Sequence, residues 1–209
     1  MIYDVHTHHP SIPGTAIVQL TPDMLSPQPG HYHSVGLHPW NISEDWRTQM
    51  AKVAVIALHP QVLMLGEAGL DKKNGTASLE LQMEVLREHI CLSELLHKPL
   101  IIHCVKAFDE ILAIRKETRA TLPWIIHGFR GGIEQWKQLS HAGLYVSIGH
   151  HYNTELIKQL PSQELFIESD DTTEIGYVYE HISHDIGTDT FELKQTVGNN
   201  ILHLLGCDA

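Results

Sequence analysis

Eight short apolar runs recur along the chain, and five of them lead directly into histidine, glutamate or aspartate. The runs are Ile2–Val5, Ala16–Leu20, Ser34–Leu37, Val62–Leu65, Leu100–His103, Pro123–Ile126, Leu144–Ser147 and Leu165–Ile167. Continuous apolar runs of this length suit parallel strands buried on both faces. Helical patterns lie between most of them, and such alternation marks α/β architecture. Leu79, Met83, Leu86 and Ile90 recur at spacings of four, three and four, which predicts one face of a helix that stops before Pro99. Further helices are predicted over Glu44–Leu58, Lys106–Glu117, Ile133–His141, Thr154–Leu160 and Phe191–Leu205. The stretch Thr21–His33, broken by Pro22, Pro27, Pro29 and Gly30, has room for only a short helix. The expected fold is α/β: a TIM-type (β/α) barrel of seven or eight parallel strands, compact and somewhat distorted, as one domain over residues 1–209.

Composition removes several function classes. No apolar stretch reaches the ~18 residues of a membrane helix, and the first ten residues lack a secretory pattern. The three cysteines, Cys91, Cys104 and Cys207, are odd in number and widely spaced, against both a disulfide framework and a thiolate zinc site. A cytoplasmic location is the expectation that follows. The formal charge of −11 argues against an extended duplex-binding surface, which needs clustered Lys and Arg. It leaves room for a small metal site that holds one phosphate.

The chemistry sits at the strand ends. Residues two apart on a strand share a face, so Asp4, His6 and His8 project together, and His6 and His8 can reach one ion. Glu67 follows the fourth run, His103 ends the fifth, His127 follows the sixth, and Asp170 stands just beyond the eighth. Barrel active sites collect at these C-terminal strand ends. Four imidazoles and two carboxylates are enough donors for one or two divalent metal ions. The mixture suits Zn, Mn, Fe, Co or Ni better than an all-oxygen site, with Mg kept among the allowed ions. Glu67 can bridge two ions about 3.5–4 Å apart, the two-metal arrangement for phosphoester cleavage. Asp4 is a candidate partner for the second ring nitrogen of a ligand histidine.

Taken in order, Asp4–His8, Gly36–Pro39, Gly66–Asp71, Ile101–His103, His127–Gly131 and Glu168–Asp170 resemble the motifs of the TatD family of metal-dependent hydrolases. Gly198–Leu202 resembles that family's final-helix signal. The resemblance implies a distorted TIM barrel and phosphodiester hydrolysis of the DNase type. It implies His6, His8, Glu67, His103, His127 and Asp170 as metal ligands. Asp170 would also be general base for a metal-activated water, with Glu67 beside it in the catalytic set. His38 would lie near the pocket and touch a substrate phosphate. Two segments depart from the family pattern. Its fifth-strand motif usually continues His-Ser-Arg-x-Ala; here His103 is followed by Cys104, Val105, Lys106 and Ala107, which makes Lys106 the candidate replacement for the charge. After Asp170 come Asp171, Thr172, Thr173 and Glu174 in place of the family's Pro-rich segment.

Other histidines are read more plainly. His150 and His151 follow the seventh run, and His150 is a substrate-binding candidate. His9, His31 and His33 are expected in loops. His89, His97, His141, His181, His184 and His203 are expected on helices or their ends, solvated or capping. Asp71 is expected to brace the turn after Glu67, and Cys104 to be a buried small residue. The favoured function is cleavage of a small phosphoester or a short DNA end, with no membrane partner. The alternatives are hydrolysis of another ester, an amide or a phosphomonoester on the same barrel, or a metal-binding barrel without catalysis.

Overall fold

The apolar runs form one eight-stranded parallel sheet in strict sequence order, β1 to β8. The computed structural model describes residues 1–9, 12–24 and 26–207. The strands are β1 Asp4–Thr7, β2 Ala16–Leu20, β3 Tyr32–Val35, β4 Val62–Asp71, β5 Leu100–Val105, β6 Trp124–Ile126, β7 Leu144–Ile148 and β8 Leu165–Ile167. The helices are α1 Trp46–Ala57, α2 Leu79–Leu96, α3 Phe108–Thr118, α4 Ile133–His141, α5 Thr154–Ile157, α6 Ile175–Ile186 and α7 Thr190–Leu204. Their apolar faces and the strands share one core, with Leu65, Ile101, Trp124, Val146 and Phe166 fully or almost fully buried.

The barrel closes at its mouth. His8 N donates to Asp170 O at 3.0 Å, and Asp170 N donates to His6 O at 3.0 Å. The bridge between Thr7 and Asp170 is parallel. Closure therefore runs through the backbones of the residues that the sequence marks for chemistry.

Several predicted elements shift. The fourth strand runs past the apolar run, through Glu67 to Asp71, as its Gly66–Asp71 end predicts. Gly69 permits this, because a Cβ there would run into the His103 carbonyl oxygen on β5. No helix separates β1 from β2 or β2 from β3 among the described residues. Helix α6 is predicted only through His181 and His184, expected on helices or their ends, and not by its bounds, since Gly176, Glu180, His181 and His184 dilute its apolar signal. Its buried face is nevertheless helically spaced: Val178, Tyr179, Ile182 and Ser183. On α2 the buried face is Gln82, Val85, Leu86, His89, Ile90 and Ser93, rotated from the predicted one. Leu79 and Met83 are only partly buried. The buried face carries three polar side chains, Gln82, His89 and Ser93, and each finds a partner, Ser93 Oγ donating to Lys98 O at 2.6 Å. Gln82 accepts from Asp71 N at 2.7 Å, and His89 Nε2 accepts from Leu37 N at 3.0 Å. Hydrophobic spacing alone cannot anticipate a polar group with a waiting backbone partner.

Candidate active site

Glu67 stands at the centre of the barrel mouth, and each of its carboxylate oxygens faces a different set of imidazoles. Oε1 lies 2.6 Å from His103 Nδ1, 2.7 Å from His127 Nε2 and 3.1 Å from His38 Nε2. Oε2 lies 3.2 Å from His8 Nε2 and 3.4 Å from His6 Nε2. Asp170 Oδ1 joins the second set, at 3.7 Å from His6 Nε2 and 3.6 Å from His8 Nε2. The structure thus brings together all six predicted ligands and adds His38 to the Oε1 side.

Each side chain reaches this centre for a local reason. Gly36 lets the chain after β3 press against the Glu67 backbone, where a Cβ would sit 2.6 Å from Glu67 O. Gln19, a lone polar residue in the apolar β2, accepts from Glu67 N at 2.6 Å and from Ser34 Oγ at 2.7 Å. The buried carboxylate is therefore fixed from its own backbone as well as from its oxygens.

Two further carboxylates stand beside the outer nitrogens of the rings. Asp71 Oδ2 lies 3.3 Å from His103 Nε2 and accepts from Trp40 Nε1 at 2.7 Å. Its other oxygen accepts from Lys73 N and Asn74 N, so it also braces the turn as expected. Glu168, fully buried, lies with Oε1 3.5 Å from His127 Nδ1 and accepts from Gly128 N at 2.6 Å and from Ser147 Oγ. Such partners fix ring orientation and raise ligand basicity. Glu168 was missed in the sequence. The two-residue strand spacing that groups His6 with His8 would have grouped Glu168 with Asp170. Asp4 does not play the role expected of it. Its oxygens accept from Ser169 N, Ser169 Oγ and His6 N, so it ties β1 to the end of β8 and touches no imidazole.

The charges interlock. Burial opposes ionisation of Glu67, but the neighbouring His127 and bonds from His103, His127 and His38 hold its carboxyl well below the usual range. Burial opposes charge on His127, and Glu67 and Glu168 overcome it, raising that ring well above an ordinary histidine. The Glu67 bond raises His8 as well. Asp170 is pushed up, chiefly by burial.

The donor set fits divalent cations. Both ring nitrogens of the fully buried His6 lack a hydrogen-bond partner among the described residues, an expensive arrangement for a polar ring unless something binds it. Donor atoms within 4.8 Å of one another occur in the groups His6, His8 and Glu67; His6, His127 and Asp170; and His38, Glu67 and His103. Imidazole nitrogen with carboxylate oxygen is the chemistry of Zn, Mn, Fe, Co or Ni sites.

The centre opens into a cavity of about 690 Å³ lined by His8, His38, Trp40, Lys106, Arg130 and Asp170 among others. Lys106 is exposed at its rim, with φ 56°. His150 is not in this cavity; it lines two adjoining ones. The loop expectation fails for His33, buried on β3 with its ring bonded to Val18 O and Gln28 N. The solvated expectation fails for His89. Cys104 is a half-buried free thiol that burial pushes up to about 12, which fits the structural reading. No helix among the described residues is long and apolar enough to cross a membrane.

A family model, TatD related DNase, matches residues 18–206. Over 147 residues, 66% of this chain, it is 29% identical to the metal-dependent hydrolase YabD of Bacillus subtilis, of which 58% is covered. Over 162 residues, 73% of this chain, it is 28% identical to the 3'-5' ssDNA/RNA exonuclease TatD of Erwinia billingiae, of which 62% is covered. The chain thus spans about three-fifths of these relatives' own lengths. The crystal structure of YJJV, a TatD homologue from Escherichia coli, superposes with a TM-score of 0.76 at 21% identity, covering 91% of this chain and 86% of that one. That likeness concerns the fold.

Proposed function

This chain belongs to the TatD-related DNase family, and we propose that it is a metal-dependent hydrolase that cleaves phosphodiester bonds at a small phosphoester or a short, single-stranded DNA end. The observation that carries this reading is the division of Glu67. One carboxylate oxygen faces His6, His8 and, near them, Asp170; the other faces His38, His103 and His127. A carboxylate placed this way can be shared by two cations. His6, His8, Glu67 and Asp170 would hold one, and Glu67, His103 and His127 the other, with His38 beside the second.

Bound divalent cations supply Lewis-acid polarisation of a phosphoryl oxygen and a lowered pKa for water. The chain's own groups do the rest. The Asp170 side chain is 29% exposed at the rim, so water reaches it; its Oδ1 would accept the proton from the attacking water as the new P–O bond forms, the P–O bond to the leaving alkoxide breaks, and that alkoxide takes a proton from solvent. Asp71 is hydrogen-bonded to the His103 ring, and the Glu168 carboxylate lies 3.5 Å from His127 Nδ1 and favours the charged form of that ring. Lys106 lends positive charge at the cavity mouth. The acidic surface confines any nucleic-acid contact to the neighbourhood of the ions. A cytoplasmic place of action is supported by the three free cysteines.

The test is turnover on single-stranded DNA, duplex DNA, bis-p-nitrophenyl phosphate, p-nitrophenyl phosphate and simple amides, each with Mn or Zn. Single-stranded DNA and the diester should be cleaved. Turnover of the amides or the monoester alone would replace this reading with another hydrolysis. No turnover with metal bound would leave a binding barrel.

A further inference from the structure

We infer that a stacking subsite for a nucleobase adjoins the Asp170 side of the centre, built from His150, Tyr177 and His181, with Arg130 placed to take the attached phosphate. This rests on the nucleic-acid reading above and names how the substrate would be held.

Three cavities meet at one residue. The main cavity of about 690 Å³, a second of about 590 Å³ and a third of about 300 Å³ all have Arg130 in their walls. The smallest shares Asp170 with the main cavity and His150 with the second. The three cavities therefore adjoin through shared walls, in a line from Asp170, past Arg130, to the rings beyond. Arg130 is exposed and makes no ion pair among the described residues, so its charge is available to a ligand.

The far wall is aromatic. The rings of His150 and Tyr177 have centroids 5.1 Å apart at 32°, and those of Tyr177 and His181 are 3.7 Å apart at 34°. Tyr177 is 42% exposed, and both histidines are exposed. A row of three tilted rings left open to solvent costs apolar hydration and contributes nothing to the core. A flat π-face laid on the row would remove that exposure.

The topology explains why the row stands here. His150 lies in the loop leaving β7, and Tyr177 in the first turn of α6, which follows the loop leaving β8. Both loops emerge at the C-terminal strand ends, where Asp170 sits. Base–aromatic stacking tolerates any sequence and pairs with basic groups that track the backbone, the pattern of single-strand binding. A duplex, whose bases are already stacked, gains nothing from such a row.

The experiment measures binding of a fluorescent, hydrolysis-resistant phosphorothioate single strand to the Mn-loaded protein, once with all bases and once with its terminal nucleotides abasic. Wild type should prefer the base-bearing strand. Tyr177→Ala should weaken that strand about tenfold and abolish the preference, while Tyr177→Phe keeps both. Arg130→Gln should weaken both strands alike and lower the slope of log affinity against log salt by about 0.7, one phosphate's worth. No preference in wild type, or a preference that survives Tyr177→Ala, overturns the subsite. Hydrolysis of the ordinary phosphodiester strand is assayed separately. Its absence counts against the phosphodiesterase reading, while the base preference still decides this one.

Discussion

His6 and His89 are equally and fully buried, yet they are opposite kinds of histidine. His89 on α2 has both ring nitrogens engaged by backbone: Nε2 accepts from Leu37 N, and Nδ1 meets Val85 O at 2.8 Å. Nothing remains for it to bind, and burial pushes its ring down to about 4, so it stays neutral. His6 on β1 has no hydrogen-bond partner at either nitrogen among the described residues and faces Glu67 and Asp170. Burial by itself therefore does not separate a core histidine from a ligand. What separates them is whether the fold has already satisfied the ring.

The comparison breaks hardest at the carboxylates. Glu67→Gln should lower turnover by roughly 10³-fold or more and reduce bound metal, because both ion positions share that side chain. Asp170→Asn should lower kcat by roughly 10² to 10⁴-fold, the range for a lost general base. Steady-state kinetics with metal analysis of the dialysed proteins checks both. Unchanged turnover in the pair would remove the proposed mechanism.

The next effect belongs to His89. The unfolded ring takes a proton below its ordinary value of 6.5, while the folded ring refuses it until about 4. Its contribution is complete above pH 6.5 and falls away as pH drops from 6.5 to 4, for a loss of about 3 kcal/mol. Urea unfolding across that window should show the fall in wild type and a flatter curve in His89→Gln.

Metal removal sharpens the contrast. At a hundredfold excess over Kd, a bound ion adds about 2.7 kcal/mol of stability. That increment should vanish with a chelator, shrink in His6→Ala and persist in His89→Gln. An equal loss in both histidine variants would erase the distinction between them. The smallest effects should come from the outer carboxylates. Asp71→Asn and Glu168→Gln should each weaken metal by roughly 10 to 100-fold, read by competition with a chromogenic chelator.

Much of the site was legible because strand geometry is regular. His6, His8, Glu67, His103, His127 and Asp170 each end or follow a strand, and a parallel barrel carries all such ends to one mouth. Periodicity placed the strands within a few residues for the same reason. It failed where burial is decided by partners instead of by spacing. Gln19, Gln82 and His89 are polar residues inside packed faces, and each is there because a backbone amide needed an acceptor. Helix α6 was hidden by the polar residues on its open side, the same side that carries Tyr177 and His181.

By itself the sequence determined the α/β barrel class and that six candidate donors stand at or just past strand ends, since apolar runs and the acids and histidines at their ends are local facts. Only the tertiary structure decided which oxygen of Glu67 faces which ring. It also decided that Asp71 and Glu168 support the histidines while Asp4 does not, and that Arg130, His150 and Tyr177 meet in one groove. Those relations join residues distant in the chain. They depend on strand stagger and side-chain direction across the mouth, which no one-dimensional pattern encodes.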